Sequence, residues 1–145
     1  MVIRLFEEGY RDDLIFMVLS AKDALGRVPT INSDLLNIKT SYLDRGDMFW
    51  IAVDENDRVI GSIGFSRIEN SNRAFIHRLY VKPSMKRGGI GTSLLSTAEN
   101  EMRRLGITVA HVHLGEPKEH WCESYSFYPK HGYVEYEPRY MKKLL

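Results

Sequence analysis

Between Arg73 and Leu105 the chain changes its hydrophobic period across one glycine-rich turn. Arg73-Ala74-Phe75-Ile76-His77-Arg78-Leu79-Tyr80-Val81 is a β-rich run that reads as a strand. Lys82-Pro83-Ser84-Met85 leads out of it. Lys86-Arg87-Gly88-Gly89-Ile90-Gly91-Thr92 then opens a helix with Ile90, Leu94, Ala98 and Met102 on one face, which Gly106 ends. Glycine lets the backbone approach a ligand and adopt angles closed to other residues. A helix N-terminus adds free N–H groups and a partial positive charge. Together these make a phosphate site, to which Lys86 and Arg87 add charge for a di-anionic group. The turn alone is equally compatible with a strand-to-helix connection that binds nothing. It is not a P-loop, because no Lys follows Gly91. It is not a dinucleotide fingerprint either, because the glycines are spaced differently and come after mid-chain.

The rest of the chain fits one domain, 1–145, with no repeat or linker. Val2 to Phe6 reads as a first strand. Arg11 to Leu25 reads as a helix carrying Leu14, Val18, Ala21 and Leu25 at helical spacing. Asn32-Ser33-Asp34 supplies capping side chains for a second helix from Leu35 to about Asp44. Met48 to Val53 and Val59 to Ile68 form a hairpin, and Gly61 and Gly64 in its second strand predict bulges or close backbone approach. Thr108 to Leu114 is a strand and Glu119 to Phe127 a short helix. Tyr133 to Glu137 and Tyr140 to Leu144 are closing strands. The order β-α-α-β-β-β-α-β-α-β-β predicts an α+β fold, a mixed α/β sheet.

Composition removes some functions. A formal charge of +1 gives no electrostatic reason to expect nucleic acid or a membrane surface. No apolar run approaches the roughly 20 residues of a membrane helix. The N-terminus turns acidic too soon for a signal peptide. The single cysteine, Cys122, forms no internal disulfide and fits a reducing compartment, so a cytoplasmic location is expected.

Leu79-Tyr80-Val81-Lys82-Pro83, then Lys86-x-x-Gly89-x-Gly91, then Leu94-Leu95, resembles the acetyl-CoA motif of the GNAT superfamily of N-acetyltransferases. Phe127-Tyr128-Pro129-Lys130-His131-Gly132-Tyr133 resembles that family's Leu-Tyr-x-x-x-Gly-Phe segment, and the element order matches over essentially the whole chain. The resemblance implies a GNAT-like fold with a mostly antiparallel, splayed sheet. It also implies acetyl-CoA as cosubstrate and direct transfer of its acetyl group to a primary amine, in the first instance a small-molecule one. A protein lysine or N-terminal acetyltransferase and a non-catalytic acetyl-CoA-binding module are the alternatives. A homodimer is compatible with the architecture, though no surface pattern argues for one.

Residue by residue, the resemblance places cofactor contacts at Leu79, Tyr80, Val81, Lys86, Arg87, Gly88, Gly89, Ile90, Gly91, Thr92 and Trp121. Lys86 stands where the family has Arg or Gln, and Trp121 where many members have Asn. Main-chain N–H groups at the end of the Leu79–Val81 strand would hold the oxyanion. The resemblance also implies Tyr128 as the general acid, a role open to a phenol with a pKa of about 10, which is protonated at neutral pH. No carboxylate lies on the strand before the turn, so His77 and His113 are the candidate bases, with a water relay as the alternative. On an alternating strand His77 shares a side with Phe75 and Leu79. Pro129 predicts that the last helix ends at or before Tyr128. His111, His113, His120 and Cys122 match no familiar zinc spacing, and no metal is expected. Asp12, Asp13, Glu116, Glu119 and Glu123 either favour a cationic amine or form a solvated face.

Overall fold

The computed structural model describes residues 1–145. Its seven strands form one sheet in the order β1-β2-β3-β4-β5-β7-β6. They are β1 (Val2–Leu5), β2 (Met48–Val53), β3 (Val59–Arg67), β4 (Arg73–Val81), β5 (Val109–His113), β6 (Val134–Glu137) and β7 (Tyr140–Leu144). Every neighbouring pair is antiparallel except β4 and β5. A parallel pair needs a crossover, and α3 (Ile90–Arg104) supplies it.

The sheet separates two cores. On one face Ile90, Leu94, Leu95, Ala98 and Met102 of α3 pack on Trp50, Ile63, Phe65 and Ile76. On the other, Leu14, Met17, Val18 and Ala21 of α1 (Arg11–Ala24) pack on Phe49, Ile51, Val53 and Tyr80. Gly61 allows the first contact, since a Cβ there would stand 2.8 Å from Leu94 Cδ1. Gly64 likewise admits Phe49, at 2.6 Å from the same hypothetical atom. Both glycines therefore mark close approach, as their place in the sequence predicts.

The register of β4 against β3 shifts between Ser62 and Gly64. Tyr80 pairs with Ser62 and His77 with Gly64, so Arg78 and Leu79 together oppose Ile63. This is a β-bulge, with Arg78 at φ +54. An inserted residue reverses the alternation. Ala74 and Ile76 point to the α3 core before the bulge, and Leu79 and Val81 pack against that same core after it. Tyr80 thereby joins the α1 core. His77 and Leu79 accordingly lie on opposite faces, which corrects the expectation from simple alternation.

Two helices also differ from expectation. Leu35 to Asp44 is not one helix but a 3-10 turn (Ser33–Leu36), one α-turn, α2 (Ile38–Ser41), and a second 3-10 turn (Leu43–Arg45). Asn37 at φ −143 and Tyr42 at φ −127 interrupt it. No side chain caps the first turn; Asp34 is committed to Arg78 and Tyr42 instead. The last helix, α4 (Cys122–Lys130), follows a 3-10 turn (Lys118–Trp121) and continues through Pro129. Pro129 lies in the final turn, where its missing N–H removes one hydrogen bond, and the N–H groups of His131 and Tyr133 close the end onto the Tyr128 carbonyl.

Candidate functional site

β4 and β5 pair only through Arg73–Phe75 and Val109–His111. Beyond Phe75 they separate, and the bulged half of β4 has a neighbour on the β3 side alone. A cavity of about 610 Å3 extends from this split along the N-terminus of α3 and the flank of α4. Leu79, Tyr80 and Val81 line it from the strand. Lys86, Arg87, Gly89, Ile90, Gly91 and Thr92 line it from the turn. Phe127, Tyr128 and Lys130 line it from α4, and Ala21 of α1 and Leu25 just after it complete the lining.

The turn has the backbone of an anion cradle. Arg87 and Gly89 take φ +69 and +81. The first α3 bond outside the turn runs from the Ser93 N–H to the Gly89 carbonyl at 3.0 Å, and no side chain caps the helix. The N–H groups of Ile90, Gly91 and Thr92 therefore face out of the helix end. Gly91 keeps that end open, because a Cβ would meet the Phe127 ring at 3.3 Å. The lining holds three cations, Lys86, Arg87 and Lys130, against one carboxylate, Glu123. Glu123 accepts a hydrogen bond from Lys86 Nζ at 2.5 Å across the cleft. A phosphorylated ligand with a narrow apolar arm fits this chemistry: amides and cations at the turn, apolar walls toward the split.

Tyr128 stands at the split and is 7% exposed. Burial pushes its pKa up, the neighbouring Tyr80 adds to this, and Arg27 opposes it. The hydroxyl is thus protonated at neutral pH and free to donate. Its ring is fixed edge-on between Phe127 and Tyr133, at 5.3 and 5.2 Å.

Other sequence candidates lie elsewhere. His77 is on the α1 face, with Nε2 2.7 Å from Ser66 Oγ and its ring edge-on to Tyr42. His113 is exposed at the end of β5 and stacks on Tyr140 at 4.5 Å. Neither lines the cleft, and neither do Gly88 or Trp121. The Trp121 ring supports the Arg27 guanidinium, whose Cζ is 3.5 Å from its centroid. A Cβ on Gly115 would fall 2.4 Å from that same ring, so the indole is wedged against the chain after β5. His111 is engaged by Arg73 Nη1 and the Tyr136 hydroxyl, each at 3.0 Å. No three His, Cys, Asp or Glu side chains are placed to hold a metal ion. Asp13 forks onto Arg58 and accepts the Val59 N–H, which removes it from any acceptor site.

Sequence reasoning missed Ala21, Leu25, Lys130 and Arg27. Lys130 was readable one α-turn after Ser126, once α4 is allowed to pass through Pro129. The α1 residues reach the cleft only through the packing of two cores.

A family model for the acetyltransferase (GNAT) family matches residues 16–133. No curated protein matches the sequence. Among solved structures, the chain is similar to a GNAT-family acetyltransferase from Staphylococcus aureus Mu50. Identity is 22%, coverage 99% of this chain and 98% of that one, and the TM-score 0.89. It is similar to an acetyltransferase from Streptococcus agalactiae 2603 at 22% identity, the same coverage and a TM-score of 0.86. It is also similar to the PaiA N-acetyltransferase of Thermoplasma acidophilum in complex with coenzyme A, at 21% identity, 99% and 98% coverage and a TM-score of 0.77. At these identities the likeness shows the shared fold, a mixed sheet flanked by helices.

Proposed function

The chain belongs to the acetyltransferase (GNAT) family, and we propose that it moves the acetyl group of acetyl-CoA directly to the primary amine of a small molecule. One observation carries this. The turn at Gly89–Thr92, the unpaired half of β4 and Tyr128 line a single cleft. In that cleft the pyrophosphate would lie on the α3 N-terminus beside Lys86, Arg87 and Lys130. The pantetheine arm would run between β4 and α4 toward the split.

Each chemical requirement then has a group. The main-chain N–H groups that Leu79–Val81 present on the free edge of β4 receive the charge that develops on the thioester oxygen, a contribution on the order of a few kcal/mol per donor. Tyr128 donates its proton to the departing thiolate. No histidine lines the cleft, and its one carboxylate is paired with Lys86, so the amine loses its proton to solvent.

The end of the cleft supports a small acceptor over a peptide. Just past Leu25, Arg27 stacks on Trp121 and donates from Nε to the His120 carbonyl at 3.0 Å. The loop after α1 is thereby strapped to the segment before α4, a restraint that favours a bounded acceptor side over an open groove for a protein substrate. The test is a free-thiol release screen with acetyl-CoA against pooled small amines and peptides. Turnover with small amines is expected. Turnover with peptides alone would overturn the small-molecule assignment, and tight acetyl-CoA binding without turnover on any amine would overturn the enzyme.

A further inference from the structure

We propose that Asp34 is a positioning residue for acetyl transfer: it clamps Arg78 in the β4 bulge and so aims the Leu79–Val81 backbone into the cleft. The inference rests on the acetyl-transfer reading of that cleft.

The argument starts from the cost of the bulge. A non-glycine residue in the left-handed region is disfavoured, because its Cβ crowds the following carbonyl oxygen. Such a residue persists only where its surroundings over-determine it. Arg78 sits there at φ +54. Three contacts hold it. Its Nε donates to Asp34 Oδ2 and its Nη2 to Asp34 Oδ1, both at 3.0 Å, a two-pronged fork of the kind guanidinium and carboxylate make best. Ser62 Oγ donates to the Arg78 carbonyl at 2.7 Å. The Tyr42 hydroxyl donates to Asp34 Oδ2 at 2.6 Å, which fixes the carboxylate itself. Both charged side chains are largely covered, at 29% and 22% exposure, so solvent screens the fork only in part. Burial alone would raise the Asp34 pKa, but the hydrogen bonds from Arg78 and Tyr42 hold it below the usual carboxylate range.

The consequence lies one residue on. Leu79, Tyr80 and Val81 are the strand residues of the cleft, and the bulge decides which way each points. Their edge toward β5 has no strand to fix it. β3 holds Tyr80 and Val81 from one side only, through Ser62 and Gly61, and the clamp at Arg78 fixes the bulge from which this stretch departs. Donors to a developing oxyanion must be placed closely, since a misplacement of about 1 Å costs on the order of 100-fold in rate. Asp34 itself does not line the cleft, whereas Gly89–Thr92 do. It should affect the acetyl end of the ligand and not the nucleotide end.

Asp34→Asn removes the charge of the fork. Arg78→Gly removes the guanidinium while leaving a residue that adopts positive φ freely. Each variant and the wild type are titrated with CoA and with acetyl-CoA 13C-labelled at the acetyl carbonyl. The carbonyl shift on binding is recorded, steady-state kinetics are taken, and thermal melts report folding. The clamp predicts CoA affinity within about twofold of wild type, a smaller carbonyl shift on binding, and kcat lower by about 10- to 100-fold. KM for acetyl-CoA stays within about threefold, and the double variant is no worse than the more impaired single one. Folded variants with the wild-type carbonyl shift and kcat overturn the proposal. So does a loss of CoA affinity equal to the loss of kcat, which makes Asp34 a support of the whole cleft. Failure of both single variants to fold also overturns it, in favour of a purely structural pair. A wild-type protein that binds no acetyl-CoA sinks the reading of the cleft itself, whereas wild-type binding with unaltered variants sinks the clamp alone.

Discussion

Tyr128 occupies the last turn of α4, lines the cleft, and has its ring locked between two aromatics. Removing only the oxygen leaves the packing in place. Tyr128→Phe is therefore expected to lower kcat by about 100-fold or more while acetyl-CoA affinity changes by less than about twofold, as steady-state kinetics and a binding titration would show. Glu123 acts in the opposite sense. It ties Lys86 across the cleft at 2.5 Å, and a bound phosphate would compete with it for that cation. The carboxylate is 61% exposed, so the pair is weak. Glu123→Gln should tighten acetyl-CoA binding by about two- to fivefold, an effect that fades as salt is raised. Unchanged affinity at low salt would show that Lys86 does not meet the phosphates.

At the scale of elements, the cleft depends on how α3 sits on the sheet. Gly61 sets that distance, because a Cβ there would stand 2.8 Å from Leu94 Cδ1, 3.1 Å from Ile90 Cγ2 and 3.3 Å from the Tyr80 carbonyl. Gly61→Ala must push the first turns of α3 outward or distort β4. A loss of about 1–3 kcal/mol in urea unfolding is expected, together with weaker CoA binding, because Ile90 opens the anion cradle. The element pattern was legible where the hydrophobic period is long and unmixed, as in α1 and α3. It failed between Leu35 and Asp44, where Tyr42 packs on Phe49 and bonds Asp34. Those tertiary contacts hold Tyr42 away from helical angles that the local pattern allows.

For the molecule as a whole, stability should depend on pH through two histidines held neutral on the α1 face of the sheet. Burial lowers the pKa of His77, and Arg78 lowers it further against the pull of Asp34. Its other close neighbours are Ser66, Tyr42 and Phe75, none of them charged. Burial likewise lowers His111, helped by Arg73 and Lys142; an arginine only donates, so His111 Nε2 must accept. In both cases the unfolded chain binds a proton that the folded one refuses, so stability rises with pH across the interval. It is complete above about pH 6.5 and lost progressively as pH falls below that value. Urea midpoints between pH 5 and 8 should show this slope, and a His77→Gln/His111→Asn double variant should flatten it. An equal slope in the double variant would assign the dependence to other groups.

The sequence by itself determined the fold class and the glycine-rich strand-to-helix turn, because both are written in local chemistry: a change of period, glycines of which Gly89 takes positive φ, and free amides at a helix start. The resemblance of Phe127–Tyr133 to the family segment pointed to Tyr128, which the structure puts on the wall of the cleft. Only the tertiary structure decided the rest. One inserted residue at Arg78 reverses the parity of β4, which carries His77 away from the cleft and turns Leu79 and Val81 toward α3. Strand alternation cannot reveal this, since a bulge has no signature in residue type when a non-glycine is held at positive φ by a partner 44 positions away. The same holds for Arg27 and Trp121, which come from the loop after α1 and the turn before α4 and meet only in the folded chain.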